Sequence, residues 1–378
     1  MARNYDLVVI GSGFAGLAAA RAAATRGVKT LVMDCKPEAG SRLHTTALLV
    51  KEVADLWDVP RDLTRKIHGV RLYGPSLRSI DLVRPGYHFL ATDAPELLRW
   101  WAREARLAGA CVRFDSPYRG ARRADGSIHI EDYDIRARYL LGADGPRSRV
   151  AEHFGLGANR RFLVGVEAEY EGVEGVDPDH LHVFLDSRIA PGYIAWVVPG
   201  VHHTQVGLAV HRGRKADLSA LVAKVGRLFS FKNAKVVAQR GGLIPIGGPV
   251  SPLGGPGVML IGDAAGMVSP LTGGGIHTAL HLGRLAGLAI TDHLLDAGHD
   301  PAEIVRLATP RFFTKRLMRV GYDALLSNTL YDAALSSRLF RLLAQTIFFH
   351  NRGLLSWQTW TEVTRQLLTG HAPAIEAA

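Results

Sequence analysis

The chain has 378 residues, of which 47% are hydrophobic, so it can bury a large core and divide into two domains. Two cysteines, Cys35 and Cys111, exclude a disulfide framework and favour a reducing compartment, and the 16 histidines form no HExxH or CxxC…H array, so we expect no metal site. The formal net charge is +10, but no nucleic-acid reader motif accompanies it, so we expect no nucleic-acid partner.

The first predicted strand leads directly into a glycine turn. Tyr5–Ile10 (YDLVVI) is a short apolar run, and the turn at residues 11–16 (GSGFAG) follows it at once. An Ala-rich helix is predicted over Leu17–Arg26, and a second buried strand over Val28–Met33. With an acidic residue next in the chain, this order of elements is the fingerprint of a dinucleotide-binding βαβ unit.

Each glycine of this fingerprint, and the acidic residue that follows it, has a physical role. Gly11 is expected to make the turn, Gly13 to let a pyrophosphate approach, and Gly16 to let helix and strand pack closely. Asp34 follows Gly16 by 18 residues, about where an acid must lie to hold the ribose hydroxyls. The predicted cofactor-binding residues of this region are Gly11, Gly13, Phe14, Ala15, Gly16 and Asp34.

A second strand–turn–helix motif is predicted further along the chain. After a helix at Pro95–Leu107 and a strand near Ala110–Phe114, the stretch Tyr139–Val150 (YLLGADGPRSRV) runs from an apolar strand into a Gly-Ala-Asp-Gly turn. Asp144 in this turn is open to two interpretations, as a helix N-cap or as a second contact to a bound dinucleotide.

The middle of the chain has the alternating pattern of a half-buried sheet. Short runs with period two, separated by Gly, Pro and Asp, predict antiparallel strands at residues 162–170, 180–185, 193–198, 204–210 and 234–239. Val70–Asp81 is expected to add a hairpin to them. We expect this sheet to form a substrate domain.

The stretch Val258–Ile290 is the most informative part of the sequence. A buried strand, Val258–Ile261, is followed by a Gly-Asp turn and a Pro/Gly-rich loop that opens onto a helix. Asp263 is placed to accept hydrogen bonds from a sugar-like hydroxyl, and the loop glycines would bring backbone N–H groups and a helix N-terminus close to an electron-rich ligand. The predicted cofactor-binding residues here are Gly262, Asp263, Pro270, Gly273, Gly274 and Gly275.

The three motifs in this order, GxGxxG, GADG and GDAA, resemble those of the FAD-dependent hydroxylase-like flavoproteins. The resemblance implies bound FAD and an α/β fold with a Rossmann-like FAD domain built from discontinuous segments, residues 1–60, 90–155 and 255–300. Residues 61–89 and 156–254 would then form the antiparallel-sheet substrate domain, and 301–378 a helical C-terminal region. Arg42 would neutralise the FAD phosphates.

Within this superfamily the chain is most similar to the geranylgeranyl reductase family. The segment Pro191–Pro199 (PGYIAWVVP) resembles that family's PGGYAWxFP motif, and Arg240–Pro249 (RGGLIPIGGP) also resembles it. Gly266 stands where aromatic hydroxylases usually carry His. Trp196 and Pro199 match the motif, whereas Tyr193 departs from it. The resemblance implies a substrate site that contains Tyr193, Trp196 and Pro199, and the alternative for Trp196 is a place in the core of the sheet. The chain departs from the family at residues 40–46, which hold no cysteine.

The resemblance implies that reduced FAD delivers hydride to a carbon–carbon double bond of a polyprenyl lipid. Tyr193 or His277 is the candidate proton donor, and the electron donor is NADPH or an acidic, ferredoxin-like protein partner. A flavin monooxygenase acting on an aromatic or apolar molecule is the alternative, because the same fold and motifs support it. A non-catalytic, FAD-containing lipid carrier is a third interpretation.

The C-terminal part of the chain carries much of the positive charge. Between Arg311 and Arg365, eight Lys and Arg residues stand against three acidic ones, together with large aromatic side chains such as Trp357 and Trp360. This composition fits either an anionic membrane surface or a helical appendage packed on the core. No apolar run reaches the ~18 residues of a membrane span and no signal peptide is visible, so we expect a cytoplasmic or peripherally membrane-bound protein.

Overall fold

The computed structural model describes residues 3–295, 298–325 and 328–349. Its strands are β1 (Arg3–Ile10), β2 (Thr30–Met33), β3 (Leu49–Val50), β4 (Thr64–Ile67), β5 (Gly69–Tyr73), β6 (Ser79–Val83), β7 (Phe89–Thr92), β8 (Cys111–Arg113), β9 (Arg122–Ala124), β10 (Ser127–Ile130), β11 (Ile135–Gly142), β12 (Phe162–Glu171), β13 (His180–Phe184), β14 (Ala195–Pro199), β15 (Thr204–His211), β16 (Lys235–Pro245), β17 (Gly254–Gly255) and β18 (Val258–Leu260). Its helices are α1 (Phe14–Thr25), α2 (Lys51–Leu56), α3 (Ala94–Leu107), α4 (Arg149–Phe154), α5 (Leu218–Val225), α6 (Ile276–Leu294), α7 (Pro301–Ala308), α8 (Phe313–Leu325), α9 (Asn328–Leu335) and α10 (Arg338–Phe349).

The described residues form two compact units, each made of separate chain segments. Unit 1 comprises the described residues up to Thr64, Thr92–Gly165 and Arg240–Phe312. Unit 2 comprises Arg65–Ala91, Val166–Gln239 and the described residues from Phe313 onwards. The sequence analysis instead gives residues 301–378 a region of their own, and that division stays a prediction.

The sheet of unit 1 runs in the order β17-β18-β11-β1-β2-β8, with the β9–β10 hairpin added at β11. Pairing is parallel from β18 through β8, and strand residues such as Leu7, Val8 and Val9 are fully buried, as a sheet covered on both faces requires. The β9–β10 hairpin is not among the predicted elements.

The register of these parallel strands brings the three motifs to one edge. Ile10 at the end of β1 lies opposite Met33 of β2 and Gly142 of β11, and Gly142 lies opposite Leu260 of β18. The GxGxxG turn, Asp34, the GADG turn and the GDAA turn therefore all leave the carboxyl edge of the sheet at the same level. Ligands of open α/β sheets bind at this edge.

Helices α1 and α6 pack closely against one another, because glycines of α6 have no side chain that would separate the two backbones. A Cβ on Gly283 would overlap the backbone of Ala15, and a Cβ on Gly287 would overlap the carbonyl of Ala19. The helix after the first motif is thereby fixed against the helix after the third.

The sheet of unit 2 runs in the order β16-β12-β15-β14-β13-β5-β6. β13, β14 and β15 pair antiparallel, as do β5 and β6, so the predicted hairpin at Val70–Asp81 is present. The expectation of a wholly antiparallel sheet is wrong at one place, because β5 pairs with β13 in parallel. Alternating residues fit either direction of pairing, so the sequence pattern could not distinguish them. The α/β fold class with a helical C-terminal part is confirmed.

Candidate cofactor site and substrate motif

The three glycines that follow β1 have different surroundings. Gly11 has a φ of +108°, and a Cβ there would overlap the carbonyl of Ala143. A Cβ on Gly16 would overlap the Gly11 carbonyl. Gly13 has an ordinary φ of −78°, and apart from its two chain neighbours no described residue has a heavy atom within 4 Å of the place where its Cβ would be. The free space lies where the sequence predicts the approach of a pyrophosphate.

The N-terminus of α1 opens onto the same space. Its N-cap is Gly13, which has no side chain that could accept hydrogen bonds from the first turn. Phe14 and Ala15, the first residues of the helix, are both 7% exposed. The backbone N–H groups of this turn can therefore bind an anionic group such as a phosphate.

Asp34, at the end of β2, is held by the glycine turn. Its Oδ2 accepts hydrogen bonds from the Ser12 backbone N at 2.7 Å and from Ser12 Oγ at 2.6 Å, and its Oδ1 accepts one from the Lys36 backbone N at 2.9 Å. An ionised carboxylate has about four acceptor positions, so one is left for a ribose hydroxyl. The ribose contact itself stays a prediction.

Asp144, in the second motif, stabilises the start of α4. Its carboxylate accepts hydrogen bonds from Ser148 Oγ at 2.6 Å and from the backbone N atoms of Arg149 at 2.7 Å and Val150 at 3.1 Å. Burial raises the pKa of this carboxyl, and these hydrogen bonds oppose the rise. The N-cap of α4 is Ser148, whose Oγ accepts a hydrogen bond from the Ala151 N at 2.9 Å, so Asp144 is not the N-cap and instead binds the N-cap side chain and the first helical N–H groups. A contact of Asp144 with the dinucleotide stays a prediction.

Asp263, in the third motif, has a different environment. It follows Gly262, whose φ is +63° and whose Cβ would lie 2.8 Å from Ala15 Cβ, so the third motif lies against the first. Asn159 Nδ2 donates to the backbone carbonyl of Asp263 at 2.8 Å, but no described residue donates to the carboxylate. Desolvation raises its pKa to about 6. A carboxylate of this kind is an acceptor for a ligand hydroxyl.

The loop before α6 is closed by its own backbone. The Ser269 N donates to the Gly274 carbonyl at 3.0 Å, and the Gly273 N donates to the Ser269 carbonyl at 2.9 Å. Pro270 is buried, and Gly273 has a φ of +61°. The loop ends at Gly275, the N-cap of α6, which again brings no capping side chain.

These observations fit an FAD molecule at the carboxyl edge of the unit 1 sheet. Open space at Gly13, two helix N-termini capped by glycine, and the Asp263 carboxylate match the phosphates, a flavin edge and a ribityl hydroxyl. Arg42 is exposed, with a φ of +47°. His277 lies in the first turn of α6, with its ring stacked on that of His281 at 6.1 Å between centroids.

Gly266 has a structural reason to be glycine. Its φ is +67°, and a Cβ would overlap the Gly248 carbonyl and lie 2.7 Å from Asn159 Oδ1. The run that the sequence analysis compared with geranylgeranyl reductases, Arg240–Pro249, therefore packs directly on the GDAAG turn.

Trp196 is held in one orientation within unit 2. It lies on β14 opposite Gly207 of β15, and a Cβ on Gly207 would lie 2.6 Å from its ring. Its Nε1 donates to Glu167 Oε2 at 2.6 Å, and Glu167 is only 4% exposed. The indole of Trp196 is therefore fixed by the space that Gly207 leaves for its ring and by the buried carboxylate of Glu167, which accepts its hydrogen bond.

The other two predicted substrate residues are buried. Pro199 ends β14, and Tyr193 is 8% exposed. Burial raises the pKa of the Tyr193 phenol, so the group stays protonated at neutral pH and is a weak proton donor. Tyr193 lies just before β14, and Trp196 and Pro199 are three residues apart on that strand, so their side chains point to opposite faces of the sheet. A shared role of the three residues in substrate binding stays a prediction.

Several residues that support one site or the other could not be identified from the sequence. Asn159 lies before the predicted strand at residues 162–170, and Glu167 lies within it. Arg319 and Tyr322, on α8, contact the backbone of the Pro191–Pro199 segment. Glu167 carried no local signal, because it falls among the polar positions of the alternating pattern at residues 162–170.

Comparison with known proteins identifies the family. The FAD binding domain family matches residues 6–48. A digeranylgeranylglycerophospholipid reductase of Methanothermobacter thermautotrophicus is 33% identical over 310 residues, which are 76% of this chain and 77% of that protein. The chain belongs to the geranylgeranyl reductase family. A second reductase of the same name, from Methanocaldococcus jannaschii, is 29% identical over 75% of this chain and 76% of that protein.

Solved structures support the same fold for this family member. A geranylgeranyl bacteriochlorophyll reductase-like protein of Thermoplasma acidophilum has a TM-score of 0.79 at 24% identity, covering 97% of this chain and 98% of that one. The chondrochloren halogenase CndH has a TM-score of 0.67 at 16% identity, covering 99% and 98%. The resemblance to the family is therefore confirmed, and the protein is an FAD-dependent oxidoreductase.

Proposed function

We propose that this protein reduces carbon–carbon double bonds in the isoprenoid chains of a polyprenyl lipid, with FAD as its redox cofactor. The observation that carries the proposal is similarity over three quarters of the chain to proteins named digeranylgeranylglycerophospholipid reductases. Trp196 gives it physical support, because a broad indole surface suits an alkyl chain that offers no polar group.

The residues of the chain divide the work of this reaction. When bound, reduced FAD supplies a hydride to one alkene carbon, and the other carbon takes up a proton. An isolated alkene develops little charge that the protein could stabilise, so the chief tasks are to orient the chain and to exclude water. Burial raises the pKa of Tyr193 and makes it a weaker acid, so of the two candidate proton donors we favour His277.

A single-turnover experiment tests the proposal. Holoenzyme is photoreduced under anaerobic conditions and mixed with polyprenyl lipids, while the flavin absorbance is followed. We expect lipid-dependent reoxidation and a product with two more hydrogens for each bond reduced. Reduced flavin that persists with every lipid, without saturated product, would contradict the proposal. Substrate-dependent oxygen uptake with NADPH would instead support the monooxygenase alternative.

We also propose that electrons come from NADPH or from an acidic, ferredoxin-like protein. The net charge of +10 favours an acidic carrier, because complementary charge speeds encounter. Flavin reduction by NADPH alone, compared with reduction by a reduced ferredoxin, distinguishes the two donors. Strong loss of the ferredoxin rate at high salt is the expected signature of the protein partner.

We propose, finally, that the protein meets its lipid at the inner face of a membrane. None of the described helices is long and apolar enough to cross a bilayer. Helix α8 carries Phe313, Leu317 and Val320 on one face, with 76%, 65% and 56% of each exposed, and exposed Arg316 lies beside them. Large apolar side chains next to arginine suit an anionic lipid surface.

A further inference from the structure

The first part of the substrate motif, residues 191–194, is held by its carbonyl groups. Two of them bond to the backbone of β15. The His211 N donates to the Pro191 carbonyl at 3.0 Å, and the Ala209 N donates to the Ile194 carbonyl at 3.2 Å. The ends of this short segment are therefore fixed by the sheet.

The two carbonyls between them bond to side chains of α8. Arg319 Nη2 donates to the Gly192 carbonyl, and Tyr322 Oη donates to the Tyr193 carbonyl at 2.8 Å. Positions three apart lie on the same face of a helix, so one turn of α8 holds two successive peptide groups of the motif.

Arg319 is a charged side chain that is only 2% exposed, and its hydrogen bonds are made through Nη2, which lies 3.3 Å from His211 Nε2. Its Nε forms an ion pair with Asp323 Oδ1 at 3.0 Å, but neither Nε nor Nη1 has a hydrogen-bond partner among the described residues. The His211 ring also lies 3.1 Å from Asp323. The guanidinium carbon of Arg319 lies 5.6 Å from the centre of the Tyr322 ring, so these two side chains stabilise one another.

The segment has little freedom to shift while α8 is in place. Gly192 has a φ of +83°, and a Cβ there would overlap the His211 ring. Tyr193 directly follows Gly192, and Trp196 lies three residues further along the chain, on β14. A displacement of the Gly192–Tyr193 peptide would therefore move the residues proposed to contact the lipid.

We propose that Arg319 and Tyr322 are positioning residues, through which α8 fixes the Tyr193 and Trp196 surface for its lipid substrate. The expected effect on the reaction rate rests on the proposed function, whereas the expected effect on the mobility of residues 190–199 does not. It makes α8 a part of the substrate-binding unit, because two of the four carbonyls of the segment depend on it.

The test compares Tyr322→Phe with Tyr73→Phe in the FAD-loaded protein. Tyr73 is a matched control, because it is also buried in unit 2 and its Oη forms a hydrogen bond with His182 Nδ1 at 3.0 Å. Hydrogen exchange by mass spectrometry reports the segment without any substrate. We expect amides of residues 190–199 to exchange about tenfold faster in Tyr322→Phe and unchanged in Tyr73→Phe.

Single-turnover reoxidation by lipid gives the second measurement. We expect Tyr322→Phe to lower the rate at saturating lipid about tenfold and Arg319→Met about 100-fold, with Arg319→Lys recovering part of the loss, since small misplacements near a reacting bond are costly. Equal exchange and equal rates in Tyr322→Phe and Tyr73→Phe would overturn the inference. Wild-type protein that lipid does not reoxidise would contradict the proposed function instead, and the exchange comparison would still decide the role of α8.

Discussion

Gly13 and Gly16 belong to the same turn, but an added methyl group would meet different surroundings at the two positions. At Gly13 it would point into open space, and at Gly16 it would overlap the Gly11 carbonyl and lie 3.2 Å from both Ala143 Cβ and Val9 Cγ1. One glycine is therefore required by the fold and the other by the ligand that the fold is expected to bind.

We predict that Gly13→Ala leaves the free energy of unfolding of the FAD-free protein within about 0.5 kcal/mol of wild type. The same variant should bind FAD at least tenfold more weakly, because its methyl group fills the space for the pyrophosphate. Gly16→Ala should lose about 1–3 kcal/mol of stability through overpacking. Denaturant unfolding and FAD titration measure both effects, and unchanged FAD affinity in Gly13→Ala would place the phosphates elsewhere.

Asp263 destabilises the FAD-free fold, and it is expected to contribute to the binding of FAD. Its pKa is raised to about 6, so the folded FAD-free protein binds a proton there more readily than the unfolded chain does. The stability penalty therefore grows as pH rises from about 4 to about 6, and it is fully present at neutral pH.

We predict that Asp263→Asn raises the free energy of unfolding of the FAD-free protein at pH 7 by about 1–2 kcal/mol, a discounted value because the side chain keeps some solvent contact. The gain should disappear near pH 4. Burial lowers the pKa of His182 to about 4, and this shift makes the free energy of unfolding rise with pH. The contribution of His182 is the same in wild type and in Asp263→Asn, so it cancels when the two proteins are compared. FAD affinity should fall about tenfold with loss of the charged acceptor. A variant no more stable than wild type at pH 7 would refute this account of Asp263.

At the scale of elements, glycines decide how α1 and α6 pack. Gly287 brings α6 against the α1 backbone, whereas Gly321, in the middle of α8, has no described heavy atom within 4 Å of an added Cβ. We predict that Gly287→Ala lowers the free energy of unfolding by about 1–3 kcal/mol. Gly321→Ala should raise it by about 0.5–1 kcal/mol through helix propensity. Equal effects of the two substitutions in thermal or denaturant unfolding would contradict the described packing.

Helix α8 has two faces with different proposed roles. Arg319 and Tyr322 lie on the inner face, and Leu317 lies on the exposed one. We predict that Leu317→Glu lowers sedimentation with vesicles of anionic lipid at least fivefold, because it places a negative charge in the apolar face. Leu107→Glu on α3, where the leucine is 82% exposed, is the matched control and should bind vesicles like wild type. Equal binding of all three proteins would exclude this face as the contact.

At the scale of the whole molecule, the sequence predicts the cofactor unit better than the substrate unit. The turns at Gly11, Asp144 and Gly262 follow local steric and hydrogen-bonding rules, and parallel strands then bring them to one edge. The parallel pairing of β5 with β13 has no such local rule, because period-two strands fit either direction.

The environment of Arg319 was also beyond sequence reasoning. The sequence analysis counted this arginine among the positive charges of the C-terminal region, but its side chain is buried and contacts Gly192 and His211. These partners lie more than a hundred residues away in the chain. The aromatic residues Trp357 and Trp360, which supported the membrane interpretation, lie outside the described residues.

In the proposed reaction the two electrons of reduced flavin end in a lipid double bond. To test this, fully reduced, anaerobic holoenzyme is titrated with a geranylgeranyl lipid, and the amount of flavin oxidised is compared with the number of double bonds lost, measured by mass spectrometry. We expect one bond to be saturated for each flavin oxidised. Flavin that stays reduced with the lipid, or that reoxidises only when oxygen is admitted and yields an oxygenated product, would contradict it.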